Sequence, residues 1–126
     1  MNESLAVPPL VPPLNFAMVA PGVYRSGYPN KRNYPFLKKL ELKTILSLSR
    51  ENSEFIELIN AVKCIEIPFA RNKEPFVEMD KEKVAEALKI ILDKRNYPIL
   101  VHCDKGKNRV GCIFAIIRKM QKVSLS

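Results

Sequence analysis

The chain has 126 residues, a length that suits one domain with a single hydrophobic core. Apolar residues make up 47% and charged residues 27%, which is typical of a soluble globular protein, and no apolar run approaches the length of a membrane-spanning helix. The net charge of +8 fits either an anionic partner or merely a solvated basic surface, and 8% aromatic residues with lysines spread along the whole chain argue against nucleic acid. Three cysteines without paired metal-ligand spacing argue against a disulfide framework and a metal site, and indicate reduced thiols in cytosol or nucleus.

The N-terminal residues 1–15 hold four of the ten prolines and show no periodicity. They predict an extended arm that lies on its own domain, with a proline-rich ligand for another protein as the alternative. The domain itself is assigned to residues 16–126. Its first segment, "FAMVAPGVYRSG", predicts two short strands around a turn at Pro21 and Gly22. A short helix from Asn33 to Leu40 follows.

The rest of the chain alternates between apolar strands and periodic helices. The predicted strands are "KTILSLS", "KCIEIPF" and "PILVH", and helices are predicted at 52–61 and from Asp80, as N-cap, to about Asp93. A last helix begins after Arg109, with the apolar stripe Ile113, Ile116, Ile117 and Met120. This order predicts an α/β fold, a mostly parallel central sheet flanked by helices, which binds ligands beyond the carboxyl ends of its strands.

At that position lies "VHCDKGKNRVG", which concentrates charge around one thiol. Gly106 permits a sharp turn, whose backbone N–H groups, together with a helix N-terminus, suit an anion. The same groups stabilise a thiolate at Cys103, and Arg109 can donate two hydrogen bonds to one oxyanion. A nucleotide-binding Gly-x4-Gly-Lys-Ser/Thr loop is excluded, because Val101 replaces the first glycine and Asn108 follows the lysine.

His-Cys-x5-Arg between a strand and a helix resembles the phosphate-binding loop of the cysteine-dependent protein tyrosine phosphatase superfamily. Together with "VPPLNFAMVAPGVYRSGYP", "NYPFLKKLELKTILSLS" and "NKEPF", it resembles the plant and fungal atypical dual-specificity phosphatases over residues 11 to about 120. Some members of that family remove the β-phosphate of inositol pyrophosphates, and others were described as acting on phosphotyrosine. The resemblance implies a protein tyrosine phosphatase-like fold and a phosphatase that needs no cofactor.

The resemblance also implies site roles. Cys103 would attack phosphorus to give a cysteinyl-phosphate, which water hydrolyses, while Arg109 and the loop amides hold the equatorial oxygens. His102 would orient the loop and tune the thiolate. The loop residues expected to bind substrate are Asp104, Lys105, Gly106, Lys107 and Asn108.

The leaving-group acid is expected on the loop "ARNKEPFVEM", which contains no aspartate. Glu74 is the predicted acid, with Glu78 and Asp80 as alternatives, and a merely solvated Glu74 also remains open. Arg71 and Lys73 on this loop, with the lysines of the cysteine loop, would form a ring of cations. That ring favours an inositol pyrophosphate over a phosphopeptide, and a phosphate leaving group needs little protonation.

Two features depart from the family pattern. Val110 stands where the family usually has Thr or Ser, whose hydroxyl assists release of the thiolate, so the intermediate could accumulate. The chain also ends soon after its last helix, which looks like a truncation and predicts an exposed apolar face, with either a partner chain such as a second copy to cover it or marginal stability as the result. A phosphate-binding pseudophosphatase and a basic nucleic-acid-binding domain therefore remain as alternatives. Cys112 is expected to be a buried helix thiol, with a protective disulfide to Cys103 as the alternative.

Overall fold

The computed structural model describes residues 10–49, 62–69, 80–104 and 108–125. In chain order these form β1 (Ala17–Ala20), β2 (Val23–Ser26), α1 (Tyr34–Lys39), β3 (Thr44–Ser47), β4 (Lys63–Glu66), α2 (Lys81–Leu92), β5 (Ile99–His102) and α3 (Asn108–Leu125). Short 3-10 turns precede α1 and β5. The helix predicted at 52–61 lies outside the described residues.

The strands of the described ranges form one five-stranded sheet in the order β1-β2-β5-β3-β4. Strands β2, β5, β3 and β4 are parallel, and β1 is antiparallel to β2. In the central strand β5, Val101 is in register with Arg25 on one side and Leu46 on the other. All four β5 residues are buried, as a short apolar run in a parallel sheet indicates. The predicted mostly parallel sheet flanked by helices is confirmed.

A tight turn joins β1 to β2, as the Pro-Gly pair predicts. Gly22 has a φ of +80°, a left-handed conformation that side chains rarely adopt. The ring of Tyr97 also leaves little room there, since a Cβ on Gly22 would lie 3.1 Å from one of its atoms. Glycine is therefore required at this turn on both counts.

The two faces of the sheet carry separate apolar layers because successive strand residues point to opposite faces. Helices α2 and α3 cover one face, and their buried residues are Ala87, Ile91, Val110, Ile113, Phe114 and Ile117. Helix α1 lies on the other face, where Leu37 packs with Leu42, Ile45 and Leu100. Cys103 belongs to the layer under α2 and α3.

Helix α2 begins where its cap predicts, since the Asp80 Oδ1 accepts the backbone N–H groups of Glu82 and Lys83 at 3.0 and 3.3 Å. The apolar stripe of α3 is confirmed at Ile113 and Ile117. Met120, on the same stripe, is 45% exposed, because the apolar layer of the described residues ends at Ile117.

Cys112 is exposed, so its predicted burial is wrong. It lies two residues after the buried Val110, and a step of two residues on a helix leads to the opposite side. Within the described ranges, no helix combines the length and apolar character that crossing a membrane requires.

The described part of the proline-rich segment lies against the domain. The carbonyl oxygen of Leu14 accepts the N–H of Gly27 at 2.7 Å, and that of Val11 accepts the Asn33 side-chain amide at 3.0 Å. Pro13 is buried. These contacts agree with an arm on its own domain, while the division at residue 15 stays a prediction.

Candidate active site

The central strand presents Cys103 at its carboxyl end. The backbone on either side is hydrogen-bonded to both neighbouring strands: the Cys103 N–H donates to the Ser26 carbonyl at 3.3 Å, and the His102 carbonyl accepts the Leu48 N–H at 2.8 Å. The thiol residue itself is buried, with 2% of its surface exposed. The sheet therefore fixes the position of the predicted nucleophile from both sides.

Helix α3 begins at Asn108, and Arg109 lies in its first turn. The Arg109 Nη2 forms an ion pair with the Asp104 Oδ2 at 2.9 Å, and Nη1 donates to the Phe69 carbonyl at 3.4 Å. Its side chain is only 12% exposed. A guanidinium shielded from water thus contacts both Asp104, the residue after Cys103, and Phe69, the residue before segment 70–79.

Hydrogen bonds hold residues 67–69, which precede segment 70–79. The N–H of Ile67 donates to the Ser47 carbonyl at 2.8 Å, and the N–H of Phe69 donates to the Leu48 carbonyl at 3.0 Å. From α2, the Lys83 Nζ donates to the Pro68 carbonyl at 2.7 Å. Phe69, the last described residue before segment 70–79, is therefore held next to Arg109. That the two predicted loops border one site stays a prediction.

His102 is fully buried at the end of β5, and the ring of Tyr28 meets its imidazole edge-on with centroids 5.7 Å apart. Burial lowers the pKa of His102 to about 4, against the opposite effects of the Asp104 charge and a backbone hydrogen bond at Cys103. The imidazole is therefore neutral at pH 7. Its predicted part in orienting the loop stays a prediction.

Tyr28 and Lys83 are positioning contacts that the sequence pattern did not single out. The Tyr28 N–H donates to the Asp104 carbonyl at 3.0 Å, which holds the start of the cysteine loop against the end of β2. The only available signal was the block "GVYRSGYP", which marks the segment without showing what it contacts.

Val110 follows Arg109 directly and is completely buried in the apolar layer that contains Cys103. A valine in this environment has no hydrogen-bond donor to offer a departing thiolate. The surroundings therefore suit an apolar side chain. An apolar residue occupies the position where the family usually has Thr or Ser.

The remaining predicted site residues have no described position. Arg71, Lys73, Glu74, Glu78, Lys105, Gly106 and Lys107 lie outside the described residues, and only the backbone of Asn108 is described. Asp80, an alternative acid, is the exposed cap of α2. The structure thus brings together Cys103, Asp104, Arg109 and Phe69, the last described residue before segment 70–79.

The sequence profile described as "Tyrosine phosphatase family" matches residues 10–126. Inositol diphosphatase DSP1 of Oryza sativa subsp. japonica is 43% identical over 122 residues, which cover 93% of this chain and 54% of that protein. The probable tyrosine-protein phosphatase DG1060 of Dictyostelium discoideum is 40% identical over 121 residues, covering 92% and 72%.

The fold is shared with a solved structure, the core catalytic domain of the PP-IP phosphatase SIW14 from S. cerevisiae in complex with citrate. The TM-score is 0.81 at 37% identity, and the match covers 90% of this chain and 71% of that one. The chain spans little more than half the length of the rice protein. With a matching profile over nearly the whole chain and a common fold, the chain belongs to the tyrosine phosphatase family.

Proposed function

We propose that the chain is a cysteine-dependent phosphatase whose favoured substrates are inositol pyrophosphates. The observation that carries the proposal is the position of Cys103 at the end of the central strand, followed directly by Asp104, whose carboxylate contacts the shielded guanidinium of Arg109 in the first turn of α3. A thiol and a fixed cation beside a helix N-terminus suit attack on a bound phosphoryl group.

The reaction has two steps. The Cys103 thiolate attacks phosphorus, the S–P bond forms, and the bond to the leaving oxygen breaks with its electron pair going to that oxygen. Water then attacks phosphorus and loses a proton, the S–P bond breaks, and the thiolate is restored. In both steps Arg109 and the loop amides hold the equatorial oxygens of the phosphoryl group. These oxygens stay negatively charged during the in-line transfer.

Glu74 is the proposed acid for the leaving group. The hydrogen bond from Arg109 to Phe69 supports this, because it holds Phe69, five residues before Glu74 in sequence, beside the guanidinium. A phosphate leaving group departs with little protonation, so a carboxyl that is weakly positioned suffices for a pyrophosphate. An ester of tyrosine or serine needs a better acid.

The positive charge of the chain and the names of its relatives both favour an inositol pyrophosphate as substrate. The chain carries 21 Lys and Arg against 13 Asp and Glu, and Arg71, Lys73, Lys105 and Lys107 fall in the two loops proposed to border the site. Such cations would attract and hold a ligand with many phosphates. Relatives are named inositol diphosphatases, which supports the same substrate class.

Two alternatives have observations behind them. The family description and the Dictyostelium relative support a protein tyrosine or dual-specificity phosphatase. The buried Val110 supports a pseudophosphatase that binds phosphate with impaired turnover. A second copy that covers α3, and a location in cytosol or nucleus, stay predictions that size measurement and imaging would test.

The test is mass spectrometry and phosphate release during incubation with a pyrophosphorylated inositol, with Cys103→Ser as control. Steady release that the substitution abolishes would support the enzyme. One burst with a stable phosphoryl adduct would favour the pseudophosphatase. If neither release nor adduct occurs, the substrate assignment is wrong, and a phosphotyrosine peptide is the second substrate to test.

A further inference from the structure

The loop contains its own anion next to the nucleophile. Asp104 follows Cys103, and its carboxylate lies 2.9 Å from the Arg109 Nη2. The pair Asp93–Arg95 has the same separation of 2.9 Å, but there the arginine side chain is 90% exposed, whereas that of Arg109 is 12% exposed. The exposed pair is forked, with three side-chain hydrogen bonds from Arg95 to Asp93, whereas Asp104 contacts a guanidinium that is largely shielded from water.

This ion pair places a carboxylate beside the cation that is proposed to hold a phosphoryl group. One terminal nitrogen of Arg109 donates to Phe69 and the other pairs with Asp104. A bound phosphoryl group is held best by two parallel N–H donors of one guanidinium. Arg109 has further N–H donors besides these two, but a phosphoryl group that accepts them meets the negative charge of Asp104.

We propose that Asp104 is a specificity-determining residue that lowers the affinity of the loop for an isolated phosphate ion by competing for Arg109. This inference rests on the proposed function, because it assigns the loop to a phosphoryl group. A substrate with many phosphates has further anionic groups to contact cations outside the loop, which offset the competition. Inorganic phosphate, the product of the second step, has none and is released readily.

The side chain can be exchanged without moving the backbone. The Asp104 carbonyl accepts the Tyr28 N–H at 3.0 Å, and the Cys103 N–H donates to Ser26 at 3.3 Å. Neither bond involves the carboxylate. Asp104→Asn keeps the size of the side chain and removes its charge, so it tests the competition.

The experiment is a titration of the ¹⁵N-labelled chain with inorganic phosphate, followed by NMR, which also shows whether each variant is folded. Asp104→Asn should bind phosphate about tenfold more tightly, the size expected when one charge near a partly shielded anion site is removed. The matched control Asp93→Asn makes the same change of net charge in the exposed pair and should leave the dissociation constant unchanged. The difference in phosphate affinity between Asp104→Asn and the wild type should be smaller at high salt, because ions screen the repulsion between Asp104 and phosphate.

Equal affinity of the wild type and Asp104→Asn would overturn the inference and leave the phosphatase proposal standing. Weaker binding by the variant would also overturn it, since Asp104 would then orient Arg109 for the ligand. If neither folded protein binds phosphate, the inference and the proposed function both fail. Asp104→Ser, also uncharged, must show the same tighter binding and takes the place of Asp104→Asn should that variant not fold.

Discussion

The Arg109 Nη1 lies 3.4 Å from the carbonyl oxygen of Phe69, in a hydrogen bond that spans 40 residues of sequence. It joins the first turn of α3 to the last residue before the loop on which the acid is proposed. The hydrogen bond therefore anchors Phe69, five residues before the proposed acid Glu74, to the cation. Disturbing either end should affect both functions.

Arg109→Lys tests the need for a forked cation. Lysine keeps the charge but cannot contact Phe69, Asp104 and a phosphoryl group in fixed geometry, so we expect kcat/KM to fall about 10²–10³-fold. Steady-state kinetics would measure it. Arg95→Lys, in the exposed pair with Asp93, is the control and should retain full activity. Near wild-type activity of Arg109→Lys would show that the mechanism does not need two N–H donors from one guanidinium.

Lys83→Met tests the anchoring of loop 70–79. The substitution keeps the length of the aliphatic chain and removes the 2.7 Å bond to the Pro68 carbonyl. We expect the free energy of unfolding to fall by about 1–2 kcal/mol and kcat to fall with it, since the loop start loosens. Lys81→Met, at an exposed position in the same turn, is the control for lost charge. Equal effects of the two substitutions would show that only charge matters.

Val110→Thr tests whether a missing donor slows the second step. A threonine hydroxyl beside the thiolate should speed breakdown of the phospho-enzyme about tenfold or more. Because Val110 is completely buried, the same change should lower stability by about 1–3 kcal/mol. Rapid-quench kinetics would separate the steps. Val110→Ala, which loosens packing without adding a donor, should leave breakdown slow, and acceleration by both would attribute the effect to packing.

The pKa of His102 predicts how stability depends on pH. Its value of about 4 in the folded chain lies below 6.5, so the unfolded chain binds more protons between these values. The contribution of the buried neutral His102 to the free energy of unfolding is fully present above pH 6.5. It is lost as the pH falls towards 4, at about 1.4 kcal/mol per pH unit. Between pH 6.5 and 5 the loss is about 2 kcal/mol.

Urea unfolding of the wild type and His102→Gln at several pH values would measure this dependence. Glutamine does not titrate in this range, so its variant should show a shallower slope, whatever its absolute stability. Parallel slopes for the two proteins would mean that other groups produce the acid sensitivity. Asp104 is the first to examine, because its charge acts on the imidazole.

The strand before Cys103 and the helix after it could be predicted because their signals are local. A short apolar run and an apolar stripe at helical spacing each depend on neighbouring residues, and Asp80 identified the start of α2 in the same way. The Pro-Gly turn is also local, and Gly22 has the positive φ that it implies.

Contacts between distant elements could not be predicted in this way. The bonds of Tyr28 to Asp104 and of Lys83 to Pro68 depend on the order of strands in the sheet and on where a helix docks. The burial of α3 residues shows the same limit: periodicity predicts the face of Met120, but the extent of the neighbouring layer decides that it is exposed.

Strand β5, between β2 and β3, receives the nucleophile's backbone bonds from segments that are far apart in sequence. Such pairings close long loops and form late in folding. A growing polypeptide on the ribosome has no organised thiol until β5 has emerged and inserted between β2 and β3, which are made earlier. Catalytic competence would therefore arise in a single step, together with completion of the fold, and no partly folded form would hydrolyse cellular phosphates.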